Sequence, residues 1–309
     1  MALRDPPRPE DADERRDTDI MCPRWCRWPK ETEVEVLEKV EAAGGVVPTG
    51  YRALQGNEWI DLPLGEVIEE AELCIHVNGR ELVTFAATPV HQEALAVGFL
   101  ANQGLIRTRE EVRELHLSAD GLCVDVWLDH DIPPPDRQVI TSGCSGGVTF
   151  DHLVQRLQPL SGTLRVPADA LFAGASELYR AATLYPRSRG VHTSALFRDG
   201  QLIVAAEDVG RHNTLDKLRG FCLLHEIDSR GALLLSTGRI SSEMITKGAR
   251  MGCPVLASRT SATSLSVRLA REWNVTLVGY LRNSPTGPRG QRMIVYSHPE
   301  RIVLGHPSP

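Results

Sequence analysis

A thiol stands in the run Thr141-Ser142-Gly143-Cys144-Ser145-Gly146-Gly147. Glycine and serine on both sides give accessible backbone, and a thiolate must reach its partner to act as a nucleophile. Cys222 and Cys253 lie in apolar stretches, the setting of structural cysteines. Cys144 is therefore the candidate nucleophile; the plainer reading is a turn with an incidental cysteine. A second run, Glu207-Asp208-Val209-Gly210-Arg211-His212-Asn213-Thr214-Leu215-Asp216-Lys217, concentrates charge in an otherwise apolar region. Asp208, Arg211, His212 and Lys217 are types that bind a nucleotide base, ribose or phosphate, and Gly210 lets backbone approach a ligand. The competing reading is a helix start, with Asn213 and Asp216 as its cap, carrying weak surface ion pairs.

A third site of interest is His192, in Gly190-Val191-His192-Thr193-Ser194. A zinc deaminase begins its site with His-x-Glu and continues with Pro-Cys-x-x-Cys. Here Ser194 replaces the glutamate and no such cysteine pair follows, so deamination is not expected. Cys22-Pro-Arg-Trp-Cys26 is not a strong zinc signature either; a metal or redox role competes there with the plainer reading of incidental cysteines in a tail. No metal ligand set is expected.

These residues need elements to hold them. Residues 1–33 are rich in Pro, Arg, Asp and Glu without periodicity and read as a flexible tail. Residues 34–139 read as a smaller N-terminal α/β unit. In it Asn78-Gly79 joins two alternating strands, and Thr88-Pro89 opens a helix with Thr88 as cap. Residues 140–309 read as the working domain. Ala232–Ser236, Val255–Ala257 and Val275–Leu281 are buried strands separated by helices over Ser242–Met251 and from Ser264 through Trp273. Strand, helix, strand, helix, strand predicts a parallel sheet with right-handed crossovers. Ligands of such sheets bind at the carboxyl ends of the strands. The loops Thr237-Gly238-Arg239 and Arg259-Thr260-Ser261 leave from that edge, and each feeds a helix N-terminus that favours an anion. Arg239, Lys247, Arg259 and Arg282 supply positive charge nearby, which points to a pocket for a phosphorylated ligand. Solvated arginines and plain helix caps are the alternative.

The bulk numbers set outer limits. The chain has 309 residues, a net charge of −6 and 42% hydrophobic residues. An acidic balance does not suggest a nucleic-acid protein. The longest apolar stretches are too short to span a bilayer, and the N-terminus has no apolar core of signal length. Seven scattered cysteines fit a reducing compartment with mostly free thiols, and the cytoplasm is expected.

Taken in order, these motifs resemble the formate dehydrogenase accessory sulfurtransferase family (FdhD) over roughly residues 60–304. The N-terminal part shares Val77-Asn78-Gly79-Arg80, Thr88-Pro89, Leu95-Ala96-Val97-Gly98-Phe99-Leu100 and Gly104-Leu105-Ile106. The centre shares Gly190-Val191-His192 and the Glu-Asp-x-Gly-Arg-His-Asn run with Asp216-Lys217. The C-terminal part shares Ser236-Thr237-Gly238-Arg239, Ser242-Glu243, Lys247, Ser261–Leu265, Leu277–Arg282 and Val295-Tyr296.

The resemblance implies a cytidine-deaminase-like fold without the zinc chemistry. It implies sulfur transfer from a cysteine desulfurase, through a Cys144 persulfide, to the molybdenum of bis(molybdopterin guanine dinucleotide), which then serves formate dehydrogenase. A homodimer is also implied. Arg282 and Arg292 look like the family's cofactor-contacting segment, and Tyr280, Leu281, Arg282, Asn283 and Arg292 are candidates for cofactor contact. His192, Asp208, Arg211, His212, Lys217, Gly238 and Arg239 are further candidates for cofactor contact. No nucleic-acid or membrane partner is expected. Two departures stand out. The family's Cys-x-x-Cys is reduced to Cys144 with Gly147 at the second position, which favours the rival reading of a cofactor-binding chaperone without transfer chemistry. Residues 284–290 look like an insertion between Arg282 and Arg292.

Overall fold

Two patterns of apolar residues, one alternating and one in short buried runs, build the two largest sheets among the described residues. The computed structural model describes residues 44–132, 139–140, 148–149, 157–162, 164–283 and 290–304, all within one compact unit running from Glu33 to Pro309. The expected tail, with Cys22 and Cys26, lies outside the described residues, as do Cys144 and most of the insertion. In chain order the first elements are β1 (Val46–Gln55), β2 (Glu58–Ile68), β3 (Ala71–Val77), β4 (Arg80–Ala87), α1 (Gln92–Gln103), β5 (Val112–Leu117) and β6 (Cys123–Leu128). The short β7 (Val139–Ile140), β8 (Val148–Thr149) and β9 (Val166–Pro167) come next, followed by α2 (Ala168–Arg180) and α3 (Tyr185–Ser188). Then come β10 (His192–Arg198), β11 (Gln201–Asp208), α4 (Arg211–Leu224), β12 (Leu233–Ser236), α5 (Ser242–Arg250) and β13 (Val255–Ser258). The last are α6 (Ser264–Glu272), β14 (Thr276–Arg282), β15 (Arg292–Val295) and β16 (Ile302–Val303).

The smaller sheet has the order β4-β3-β6-β5. Asn78 and Gly79 both take positive φ, 50° and 76°, as a tight hairpin turn requires, and the expected β3–β4 hairpin is present. Leu73, Ile75 and Val77 alternate inward and meet Val124, Val126 and α1 residues Leu95 and Phe99 in one apolar cluster. Their neighbours Cys74, His76, Cys123 and Asp125 necessarily occupy the opposite, half-exposed face. There two cysteines depart from the expectation of mostly free thiols, while Cys222 and Cys253 are free. Cys74 and Cys123 are in register on adjacent parallel strands, with Cα atoms 4.6 Å apart, and form a disulfide. Strand pairing across this distance in sequence cannot be read from cysteine spacing.

The larger sheet has the order β11-β10-β12-β13-β14-β15. The parallel core β12-β13-β14 with crossover helices α5 and α6 stands as the sequence predicts. The sheet as a whole is mixed, because β10, β11 and β15 pair antiparallel at its two sides. Apolar residues of α4, α5 and α6 cover one face, with Leu234, Leu256 and Leu277 from the strands. Leu235 meets Gly174 of α2 on the other face, where a Cβ would lie 3.1 Å from it.

Helices α1 and α4 pack across each other and join the two sheets. A Cβ on Gly98 would lie 1.7 Å from the Asp216 carbonyl oxygen, and one on Gly220 would lie 1.8 Å from that of Ala94. The two backbones therefore touch, which only glycine permits. This crossing explains a second correction. Helix α1 starts at Gln92, three residues after Pro89, with His91 at its cap in a left-handed conformation. Thr88 is fully buried; its hydroxyl accepts from the Val209 N–H at 3.0 Å and its N–H donates to Asp208 at 3.2 Å. Tertiary partners more than a hundred residues away have displaced the local cap. Among the described residues no helix is long and apolar enough to cross a membrane.

Candidate functional site

The antiparallel pairing of β10 with β12 brings the start of β10 to the carboxyl end of the parallel core. Ser194 stands opposite Ser236, and His192 opposite Asp208 at the end of β11. One edge of the sheet therefore gathers His192, the Asp208–Arg211 turn, Thr237-Gly238-Arg239, Arg259-Thr260 and Arg282. This is the edge expected from the strand–helix alternation, and most of the predicted residues converge on it.

The turn after β12 is held by hydroxyls. The Thr237 N–H donates to the Thr193 carbonyl at 2.9 Å, and the Thr193 N–H donates to the Thr237 hydroxyl at 3.0 Å. Ser258 donates to the Gly238 carbonyl at 2.6 Å, tying the two β-to-α loops together. Gly238 is needed for space: a Cβ there would lie 2.8 Å from Arg211 Cβ and 3.4 Å from His192 Nδ1. His192, half-buried, has its pKa lowered by burial and secondarily by the Arg211 charge, so its ring is neutral near pH 7. Arg239 is exposed at the mouth of the turn. Arg259 lies over the Tyr179 ring, 5.2 Å from its centre, and donates to its hydroxyl.

The end of β14 has its own irregularity. Tyr280 takes φ 52°, uncommon for a side chain of that size, and the β14–β15 register shifts there. Its N–H donates to the Thr260 carbonyl at 2.9 Å. Leu281 is buried, so only its backbone is presented to the edge. Arg282 and Arg292 are exposed and stand opposite each other across the β14–β15 pair. Asn283 donates to Ser176 and accepts from Gln291, at 2.9 and 3.0 Å.

Other residues of the charged run point inward. Asp208 and Lys217 are fully buried and pair at 2.6 Å. Asp208 also accepts from the N–H groups of Thr88 and Gly210 and from Asn213, while Lys217 donates to the carbonyls of Thr88 and Glu207. Asn213 is thus inside α4, whose cap is Gly210, and it bonds Asp208 and Ala86 instead of capping. His212 meets Ser241 at 3.0 Å and Glu243 at 3.5 Å; burial lowers its pKa to about 3 and keeps it neutral. Lys247, expected beside the pocket, is buried against Asp216 at 2.6 Å and Glu243 at 3.0 Å. Burial raises the Asp216 pKa to about 6, against the pull of Lys247. These groups have internal partners because α1 covers the face of α4 that a lone amphipathic helix would show to water.

Tyr179 and Ser176, on α2, were not singled out by sequence. Leu171, Phe172 and Leu178 carry the helical spacing that marks α2. Of the cysteines, Cys222 is pushed up to about 11 by burial and Cys253 is also pushed up by burial, so both are poor nucleophiles.

Fold and site define a mixed α/β protein whose larger sheet has an arginine-lined edge. The model of the FdhD/NarQ family matches residues 68–303. The Sulfur carrier protein FdhD of Bacillus pumilus (strain SAFR-032) is 34% identical over 244 residues, covering 77% of this chain and 90% of that protein. Its namesake in Bacillus subtilis (strain 168) is 34% identical over 242 residues, covering 76% and 90%. The crystal structure described as that of a formate dehydrogenase accessory protein from Desulfotalea psychrophila superposes with a TM-score of 0.70 at 29% identity, covering 84% of this chain and all of that one. The chain belongs to the FdhD/NarQ family.

Proposed function

We propose that this protein is a sulfur carrier that loads the molybdenum of bis(molybdopterin guanine dinucleotide) on behalf of formate dehydrogenase. The names of its relatives support the sulfur-carrying half of this reading. The observation that carries the cargo half is the facing pair Arg282 and Arg292. Like charges directly opposite on paired strands are unfavourable, and neither side chain has an ion pair among the described residues. An anion between them removes the repulsion, and the cargo is a dinucleotide with pyrophosphate groups. Tyr280, the Leu281 backbone, Asn283, Arg239, Gly238 and His192 lie along the same edge and are proposed to contact it. Asp208, Lys217 and His212 act behind it, with Arg211 between the two sets. This reading takes the sheet as cytidine-deaminase-like, with Ser194 in place of the deaminase glutamate.

The carrier is Cys144. Its thiolate attacks the outer sulfur of a persulfide on a cysteine desulfurase; the new S–S bond forms as the donor bond breaks, and the donor cysteine leaves as thiolate. The outer sulfur is then accepted as sulfide by reduced molybdenum, which supplies the electron pair, and Cys144 leaves as thiolate. Cys222 and Cys253 are too buried for this work and Cys74 is bridged to Cys123, which supports Cys144. The protein is proposed to act as a homodimer in the cytoplasm.

One observation favours a second reading. Gly147 removes the second thiol of the family's motif, and a chaperone that only binds cofactor needs none. Incubation with a cysteine desulfurase and radiolabelled cysteine, followed by a non-reducing gel, separates the two. Reductant-sensitive label on wild type and none on Cys144→Ala supports the carrier. Equal label on both moves the role to another cysteine. No label on either, with formate dehydrogenase still activated, selects the chaperone.

A further inference from the structure

The outer face of the smaller sheet carries chemistry unrelated to the arginine edge. β3 and β6 are parallel neighbours, and two register pairs follow each other on that face: Cys74 with Cys123, then His76 with Asp125. Each strand thus offers a cysteine and, two residues on, a second metal-binding side chain, Cys-x-His on one and Cys-x-Asp on the other. Alternation forces all four to one side, since Leu73, Ile75, Val77, Val124 and Val126 fill the core. Donor atoms of Cys74, Cys123 and His76 all lie within 4.8 Å of one another. His76 Nδ1 is 2.9 Å from Asp125 Oδ1, the carboxylate–imidazole contact that orients metal-bound histidines. All are half-exposed, so a hydrated ion has a path in.

We propose that Cys74, Cys123 and His76 form a binding site for a thiophilic divalent cation such as zinc, open only when the Cys74–Cys123 disulfide is reduced, with Asp125 holding the histidine. Two thiolates and an imidazole make a soft donor set that selects zinc over magnesium or calcium. They leave a fourth position for water. The disulfide and metal forms exclude each other, because the same two sulfurs either bond to one another or act as thiolates. The conversion balances with a dithiol reductant of the thioredoxin class: it loses two hydrogens and becomes a disulfide while Cys74 and Cys123 become thiols. The cation then displaces their two protons. No short cysteine motif signals such a site, because its halves are separated by 49 residues and meet only through strand pairing.

The test uses the full chain carrying Cys22→Ser, Cys26→Ser and Cys144→Ser, reduced with a phosphine and desalted without oxygen. Cobalt(II) is the spectroscopic probe and zinc the competitor. One equivalent of cobalt is expected, with a thiolate-to-cobalt charge-transfer band that zinc removes. Cys74→Ser and Cys123→Ser lose the band. Asp125→Asn binds roughly 10–100-fold more weakly, the usual cost of removing a carboxylate behind a metal-bound histidine. Oxidation to the disulfide abolishes binding and reduction restores it. A band that survives Cys74→Ser, or reduced protein that gives none, overturns the proposal. Should the cysteine variants fail to fold, His76→Ala and Asp125→Asn decide it, since both leave the thiols in place; undiminished binding in both would count against the site.

Discussion

Two groups of charged residues belong to the same sheet edge and its backing helices and differ in burial and in partners. Behind the sheet edge, Asp208–Lys217 and Asp216–Lys247–Glu243 are fully or nearly fully buried. On the edge, Arg239, Arg282 and Arg292 are exposed and make no ion pair among the described residues. The first group satisfies its charge inside the protein; the second leaves it for something outside. A buried pair adds little net stability against an apolar pair of the same size, but losing one partner is costly. An exposed arginine costs almost nothing to remove, so its value must lie in what it binds.

The sharpest break in this contrast comes from Lys217→Met. It leaves Asp208 buried without its cation and should cost about 3–5 kcal/mol of stability, read by urea unfolding. Adding Asp208→Asn should return part of the loss; if Lys217→Met alone unfolds like wild type, the pair is not structural. Gly238→Ala comes next. Its Cβ meets Arg211 Cβ at 2.8 Å, and overpacking of this kind costs about 1–3 kcal/mol. Thermal melting together with the ring signals of His192 would report it, and an unchanged His192 environment would break the argument.

Acid provides a third test. The folded His212 pKa, lowered to about 3 from 6.5, means the unfolded chain takes up a proton below pH 6.5 that the folded one refuses. Its contribution is full above 6.5 and is lost as pH falls, at up to about 1.4 kcal/mol per pH unit. Asp216 acts in the opposite sense: with its pKa raised from 3.8 to about 6, it adds stability as pH falls through that window. The difference in unfolding free energy between wild type and His212→Gln isolates the histidine. It should shrink by about 2 kcal/mol between pH 6.5 and 5; a flat difference would put a solvated imidazole at that position. The smallest effect on stability belongs to Arg282→Gln and Arg292→Gln, expected within about 0.5 kcal/mol of wild type. Both should weaken binding of a guanosine diphosphate probe in calorimetry, and unaltered binding would remove the edge as an anion site.

Much of the fold is legible in the sequence where local signals are enough. Asn78-Gly79 specifies its hairpin, and the buried runs read at Ala232–Ser236, Val255–Ala257 and Val275–Leu281 specify the parallel core. Legibility fails where a distant partner decides. Thr88 has the type of a helix cap and Asn213 the look of one, yet both are claimed by Asp208 and its neighbours. Lys247 reads as a pocket charge until Asp216 is brought beside it. Residue type marks Asp208 and Arg282 alike as ligand-binding; only burial separates them, and burial depends on α1 lying across α4. Cys144 reads as the candidate nucleophile from its glycine-rich surroundings, and it lies outside the described residues.

The backbone contact of α1 with α4 reaches beyond packing. Gly98 and Gly220 each lie against a carbonyl of the other helix, so each helix is shaped to the backbone of its partner. The two sheets are therefore poor material for recombination. A chimera taking residues up to Ile132 from one relative and the remainder from another must inherit both halves of the crossing, the Thr88–Asp208 contact, and Asn102 with Asp216. The two layers must be carried together.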